Sequence, residues 1–212
     1  MQSESGATEL VSDTGRLDKV RVVIIGGSAG GSSVAREILR ALPIGYPLPI
    51  VLVQHLHPDD DGMLAENLGN AIALPVLEAL DKMPALPGCV YIAPANYHLL
   101  VEQSGRFALS VDEPVRWSRP SIDLFFQSAA IAWRDGLLAV LLSGANEDGA
   151  MGIRTIRSLG GITVAQDPVS AQFPYMPQAA IDTGAVQHVL SPEKMMLLLK
   201  CLGKEPGHAH YS

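Results

Sequence analysis

Cysteine is scarce in this chain: only Cys89 and Cys201 are present. They lie far apart and make no metal-ligand spacing, and each sits beside apolar residues, so both read as small reduced hydrophobes. No apolar run reaches the roughly 18 residues that a membrane span needs, so no membrane insertion is expected. The opening stretch MQSESGATELVSDTGRLDKV carries acids and lacks the apolar segment of a secretory signal, which makes a cytoplasmic protein the expectation. Positive charge is also in short supply. Lys and Arg number 15 against 22 Asp and Glu, a net charge of −7. A surface built for nucleic acid needs the opposite balance, so no nucleic-acid partner is expected. Arg106, Arg116, Arg119 and Arg134 do cluster along the chain, and a solvated face is favoured there over a docking patch. Internal repeats and low-complexity blocks are missing too. What remains is 212 residues with 48% hydrophobic content, enough for one well-buried domain.

The apolar residues come in short blocks. Val20–Ile25, Pro49–Gln54 (PIVLVQ), Gly88–Ala93 (GCVYIA) and Leu137–Leu142 (LLAVLL) are continuous, as in strands buried on both faces. Leu74–Glu78, Ile162–Ala165 and Val186–Leu190 add shorter strands. Between them run helical patterns at Ser32–Leu42, Gly62–Ala71, Ile122–Trp133 (capped by Ser121), Asp148–Leu159 and Pro192–Leu202, with a helical turn at Ala179–Asp182. The segment HLLVEQSGRFALSV alternates on both sides of Gln-Ser-Gly and predicts a β-hairpin near 98–111. Strands alternating with helices predict an α/β fold with a mainly parallel sheet. In such folds functional residues collect on loops at the carboxyl ends of strands. Three strands here end in GGSAGG, QHLHPDDDG and SGANEDGAMG.

The first of these loops fits neither phosphate-binding pattern. G-x-G-x-x-G fails in both registers, at Ser28 or at Ala29, and the P-loop lysine is missing. Gly26-Gly27-Ser28-Ala29-Gly30 does read G-x-S-x-G between a strand and a helix, the setting of a nucleophilic serine; a plain packing turn is the competing reading. A serine hydroxyl needs a base to become a nucleophile. His55 follows PIVLVQ directly, with His57 as its rival; His98, at the start of the hairpin, reads as structural or substrate-lining. The imidazole in turn needs an acid to orient it. Asp148, after LLAVLLSG, is the first choice, with Glu147 competing; the alternative job for Asp148 is to cap the helix that it opens. The order Ser, His, Asp is not that of the α/β-hydrolases, so that fold is not expected.

Taken in order, IIGGSAGG, VQH, YIAPANYHL, RPSID, LLSGANEDGAMG and QDPVSAQFPYMPQAAIDTGAV resemble the catalytic domain of the chemotaxis protein-glutamate methylesterases, the CheB family, over roughly residues 20–200. The resemblance implies a modified doubly wound sheet in a catalytic domain at 19–203; the polar, aperiodic residues 1–18 before it read as a flexible arm and 204–212 after it as a loose tail. It implies hydrolysis of glutamate methyl esters on the cytoplasmic helices of methylated chemoreceptors, with glutamine deamidation as a second family activity and no metal or other cofactor. The family's nucleophile falls on Ser28, its base on His55 and its acid on Asp148. Ala29, Gly144, Ala145, Asn146 and Met176 fall at oxyanion or substrate-lining positions, and Arg116 and Arg119 are docking candidates. Ala29 stands where the family commonly has threonine; Ala145, Asn146 and Glu147 depart from its L-T-G-M-G-x-D-G pattern, although Met176-Pro177 is kept. Relatives often carry a receiver domain in front. Only about 18 residues precede the first strand here, so control by phosphorylation in cis is not expected. The competing function is a non-catalytic binding module of the same shape.

Overall fold

The buried runs become strands, and their order is what builds the site. The computed structural model describes residues 14–57, 60 and 62–202; the expected tail and residues 1–13 of the expected arm lie outside the described residues. Among the described residues nine strands follow one another as β1 (Val22–Gly27), β2 (Ile50–Gln54), β3 (Val76–Glu78), β4 (Val90–Ile92), β5 (His98–Val101), β6 (Phe107–Ser110), β7 (Leu137–Leu141), β8 (Ile162–Gln166) and β9 (His188–Leu190). Seven of them form one sheet in the order β3-β4-β2-β1-β7-β8-β9, every pair parallel. β5 and β6 form the expected antiparallel hairpin as a separate small sheet.

Both faces of the sheet are covered, because alternate strand residues point to opposite sides. Val22 and Ile24 join Phe125, Phe126 and Ile153 in one core, under α4 (Ile122–Trp133), α5 (Ala150–Ser158) and α6 (Tyr175–Asp182). Val23 and Ile25 join Ile38, Leu39 and Leu198 in the other, under α2 (Gly31–Arg40) and α7 (Pro192–Leu202), with Leu68 of α3 (Met63–Gly69). The hairpin contributes Leu99, Val101 and Phe107 to the first core. Among the described residues no helix is long and apolar enough to cross a membrane.

Several boundaries differ from the sequence-based expectation, and three of them have a local reason. Thr14–Leu17, the end of the expected arm, forms the helical turn α1, and Arg16 donates to the Gly160 carbonyl at 2.9 Å. α6 starts at Tyr175 rather than Ala179. Pro177 hides its first turn in the sequence, yet a proline is tolerated there because first-turn N–H groups have no helical partner. α5 starts at Ala150 rather than Asp148, behind Gly149 in a left-handed conformation at φ 99°. The Asp148 carboxylate is occupied elsewhere, by the Ile122 and Asp123 N–H groups.

α4 and α5 lie close together, and Gly152 makes that approach fit: a Cβ there would stand 2.4 Å from Phe126 Cβ. Gly152→Ala should therefore destabilise the fold by about 1–3 kcal/mol, through overpacking against the helix that frames the site. A lower denaturant midpoint at unchanged slope is the expected reading; an unchanged midpoint would contradict it.

Candidate active site

The strand order reverses at β1, with β2 on one side and β7 on the other. In a doubly wound sheet that reversal opens a crevice at the carboxyl ends of the strands. The three loops singled out in the sequence leave these three neighbouring strands. Ser28 follows β1, His55 follows β2, and Asp148 closes the loop after β7. Their side chains meet: Ser28 Oγ lies 3.1 Å from His55 Nδ1, and His55 Nε2 lies 2.8 Å from Asp148 Oδ2. A carboxylate only accepts, so the imidazole carries its proton on Nε2 and turns the Nδ1 lone pair toward the hydroxyl. His57, the rival, lies exposed two residues further along.

Asp148 is fully buried, so its charge needs partners. Its Oδ1 accepts from Ser121 Oγ at 3.1 Å and from the Asp123 N–H at 2.9 Å. Its Oδ2 accepts from the Ile122 N–H at 2.7 Å and from His55. The carboxylate thus sits on the N-terminus of α4, where free N–H groups and the helix dipole favour negative charge. Burial pushes its carboxyl up, but the bonds from His55, Asp123 and Ile122 outweigh burial and hold it below the ordinary carboxylate range. Asp123 returns the arrangement. Its Oδ1 accepts from the Gly149 and Gly152 N–H groups at 2.9 and 2.7 Å, at the start of α5. Burial pushes the Asp123 carboxyl up, only partly offset by those bonds and by Arg116. Asp148 therefore does cap a helix, but α4 rather than the helix it opens in sequence.

A further layer lies behind. Ser121 donates its N–H to His98 Nδ1 at 3.1 Å, and His98 Nε2 donates to the Glu113 carbonyl at 3.1 Å. His98 is fully buried, which leaves it the structural one of its two expected roles. Ser143 ties the other side together. Its carbonyl accepts from the Ser28 N–H at 2.9 Å, and its hydroxyl donates to the Ala29 carbonyl at 2.8 Å. The Ser143 N–H reaches Gln166 Oε1 at 2.9 Å. Gln54 Nε2 donates to the Ser28 carbonyl at 2.7 Å. The sequence assigned no role to Ser143, Gln166 or Gln54; their positions just past or at strand ends are the one signal they offered.

Ala29 and Ala145 are exposed, and among the described residues neither N–H finds an acceptor. Gly144 is buried with its carbonyl held by the Met176 N–H at 3.0 Å. Met176 is itself fully buried against Gly144, so it shapes the loop from beneath rather than lining the crevice. Asn146 Oδ1 accepts from the Asp148 N–H at 3.1 Å. Glu147, the rival acid, faces outward and pairs with Arg116 at 3.0 Å. Arg119 is committed to Asn96 and to the Val111 and Asp112 carbonyls.

Residues 23–199 match the family model described as CheB methylesterase. The chain belongs to the CheB methylesterase family. It is 43% identical over 173 residues to a putative protein-glutamate methylesterase/protein-glutamine glutaminase of Leptospira interrogans serogroup Icterohaemorrhagiae serovar copenhageni (strain Fiocruz L1-130), covering 82% of this chain and 90% of that one. It is 40% identical over 169 residues to the protein-glutamate methylesterase FrzG of Myxococcus xanthus, covering 80% of this chain but only 51% of FrzG. Among solved structures it resembles the Thermotoga maritima CheB methylesterase catalytic domain, with a TM-score of 0.79 and 34% identity, over 84% of this chain and 98% of that one. The side chains at 29, 145 and 146 that depart from the family pattern leave the backbone N–H groups at 29 and 145 available.

The depressed Asp148 carboxyl has a consequence for stability. Between its folded and unfolded values the folded protein binds fewer protons. Its contribution is therefore complete above the ordinary carboxylate range and is lost as pH falls through the folded value. Asp148→Asn should lower the thermal midpoint at neutral pH, and the gap to wild type should hold from about pH 7 to about pH 5 and shrink as pH falls below about pH 4. A gap independent of pH would show that the charge contributes nothing.

Proposed function

We propose that this chain is a serine hydrolase that removes methyl esters from glutamate side chains of chemoreceptors in the cytoplasm, with deamidation of receptor glutamines as a second reaction of the same site. The observation that carries the proposal is the hydroxyl–imidazole–carboxylate line at three adjacent strand tips. Relatives named as methylesterases and glutaminases support the catalytic reading over a binding module of the same shape.

His55 Nδ1 takes the Ser28 proton as Oγ attacks the ester carbonyl, and Asp148 stabilises the imidazolium that forms. The carbonyl oxygen becomes an oxyanion. The Ala29 and Ala145 N–H groups, both unpaired among the described residues, are its proposed donors. As the C–O bond breaks, His55 returns the proton and methanol leaves. Water then attacks the acyl-serine by the same route, freeing Ser28 and the glutamate carboxyl. With a glutamine side chain the leaving group is ammonia. Every proton has a carrier within the triad, so a chelator should leave the rate unchanged.

Docking is proposed for the surface beside the Ala145 loop. A groove of about 920 Å³ runs from Ala145 and Glu147 along Val169, Phe173 and Tyr175. Arg116 adjoins its rim through Glu147. Arg116 and Trp117 form the tip of a tight turn closed by the Val115 and Ser118 backbones, both at positive φ, 50° and 66°. That conformation is strained for such side chains, and it displays Trp117 fully to solvent. An aromatic–arginine pair of this kind suits a protein partner; here it is the receptor segment carrying the ester. Arg119, the other docking candidate, supports the same loop from below through Val111 and Asp112.

Ser28→Ala and His55→Ala should each reduce methanol release from methylated receptor fragments by at least about 1,000-fold. Retention of most activity by Ser28→Ala would overturn the assignment. Arg116→Glu should slow receptor processing several-fold more than hydrolysis of a small ester; equal losses would remove the docking role.

A further inference from the structure

We infer that Gln54 is a positioning residue that aims the Ala29 N–H at the oxyanion, an inference that rests on the esterase reading above. Gln54 is the last residue of β2, next to His55, and is only 5% exposed. Its Nε2 donates to the Ser28 carbonyl at 2.7 Å, and the Gly31 N–H donates to the same oxygen at 2.8 Å. The Ser28 N–H is itself held by the Ser143 carbonyl at 2.9 Å. A trans peptide is planar, so its N–H points opposite to its C=O. Fixing the Ser28 carbonyl from two directions therefore fixes the Ala29 N–H. That N–H has no acceptor among the described residues, and Ala29 is exposed.

The Ala145 N–H is fixed by the same logic. The preceding carbonyl, of Gly144, is held by the Met176 N–H at 3.0 Å. There the donor is helix backbone, whereas at Ser28 one of the two donors is a side chain. That makes the Ala29 donor the one that a single substitution can loosen.

The other half of the Gln54 amide shows why the residue is not explained by stability. Its Oε1 is buried with no donor among the described residues. It lies 3.2 Å from where a Gly27 Cβ would stand and 3.6 Å from where a Gly31 Cβ would stand. An unbranched apolar side chain would fill this space without an unpaired acceptor. Turning the amide over would set Oε1 against the Ser28 carbonyl, acceptor to acceptor, so the donor orientation is forced. An acceptor left buried and unpaired, one residue from the proposed base, marks a group kept for what its donor holds.

Gln54→Met keeps the length and removes the donor; Gln54→Leu serves if the methionine variant does not fold. On a small ester, kcat should fall about tenfold or more with KM within about twofold. The inhibition constant of a boronic acid, which mimics the oxyanion, should rise by the factor by which kcat/KM falls. The thermal midpoint should stay level or rise. Wild-type kcat in the variant, or a lower kcat with unchanged boronic acid binding, overturns the inference. If instead Ser28→Ala keeps wild-type esterase activity, the esterase reading fails independently of Gln54.

Discussion

The site depends on one buried charge. Asp148 has no contact with solvent, and a carboxylate in that position is tolerated only with its lone pairs filled. Ile122, Asp123, Ser121 and His55 fill them. Hydrogen bonds to a charged group are worth about 1.5–3 kcal/mol each, so the set decides where α4 begins relative to the tip of β7. The imidazole proton is placed by the same carboxylate. Fold and chemistry thus share an interaction: the bonds that allow the charge to be buried also direct His55 Nδ1 toward Ser28. Asp123, in the first turn of α4, repeats the arrangement in reverse: its carboxylate accepts from N–H groups at the head of α5 and ties the two helices together.

Around this charge the structure works mainly with backbone. The groups proposed to receive the oxyanion are two N–H groups, each oriented by a bond to the carbonyl before it. Such donors survive a change of side chain, and this accounts for a site that retains its frame while Ala29, Ala145 and Asn146 depart from the family pattern. Asn146 has its own use, because its side chain closes a turn onto the Asp148 N–H. Strain is found outside this frame, at Arg116 and Trp117, on the surface proposed to meet the partner.

Much of the architecture was legible because its signals are local. VVIIGG, IVLVQ and LLAVL are apolar on both alternating faces, and only a strand covered on both sides accommodates that. The hairpin announced itself by alternation around a turn. α6 was underestimated because Pro177 resembles a breaker, and its tolerated position in a first turn cannot be seen without the helix. α5 was extended two residues too early because an aspartate before a helix is ordinarily its cap. The choice of His55 over His57 followed from the strand tip and from family likeness; in the structure His55 Nδ1 lies 3.1 Å from Ser28 Oγ and His57 is exposed.

The chain alone determined most of the strands and helices, which loops end the strands, and the short set of hydroxyl, imidazole and carboxylate candidates that lie on them. Those are consequences of periodicity and residue type within a few neighbours. Only the tertiary structure decided that Asp148 caps a helix beginning 26 residues earlier, that Ser121 and His98 stand behind it, and that Gln54 holds the Ser28 carbonyl. The physical reason is range: a hydrogen bond acts across about 3 Å of space, and nothing in a linear order says which distant residues the sheet will bring that close.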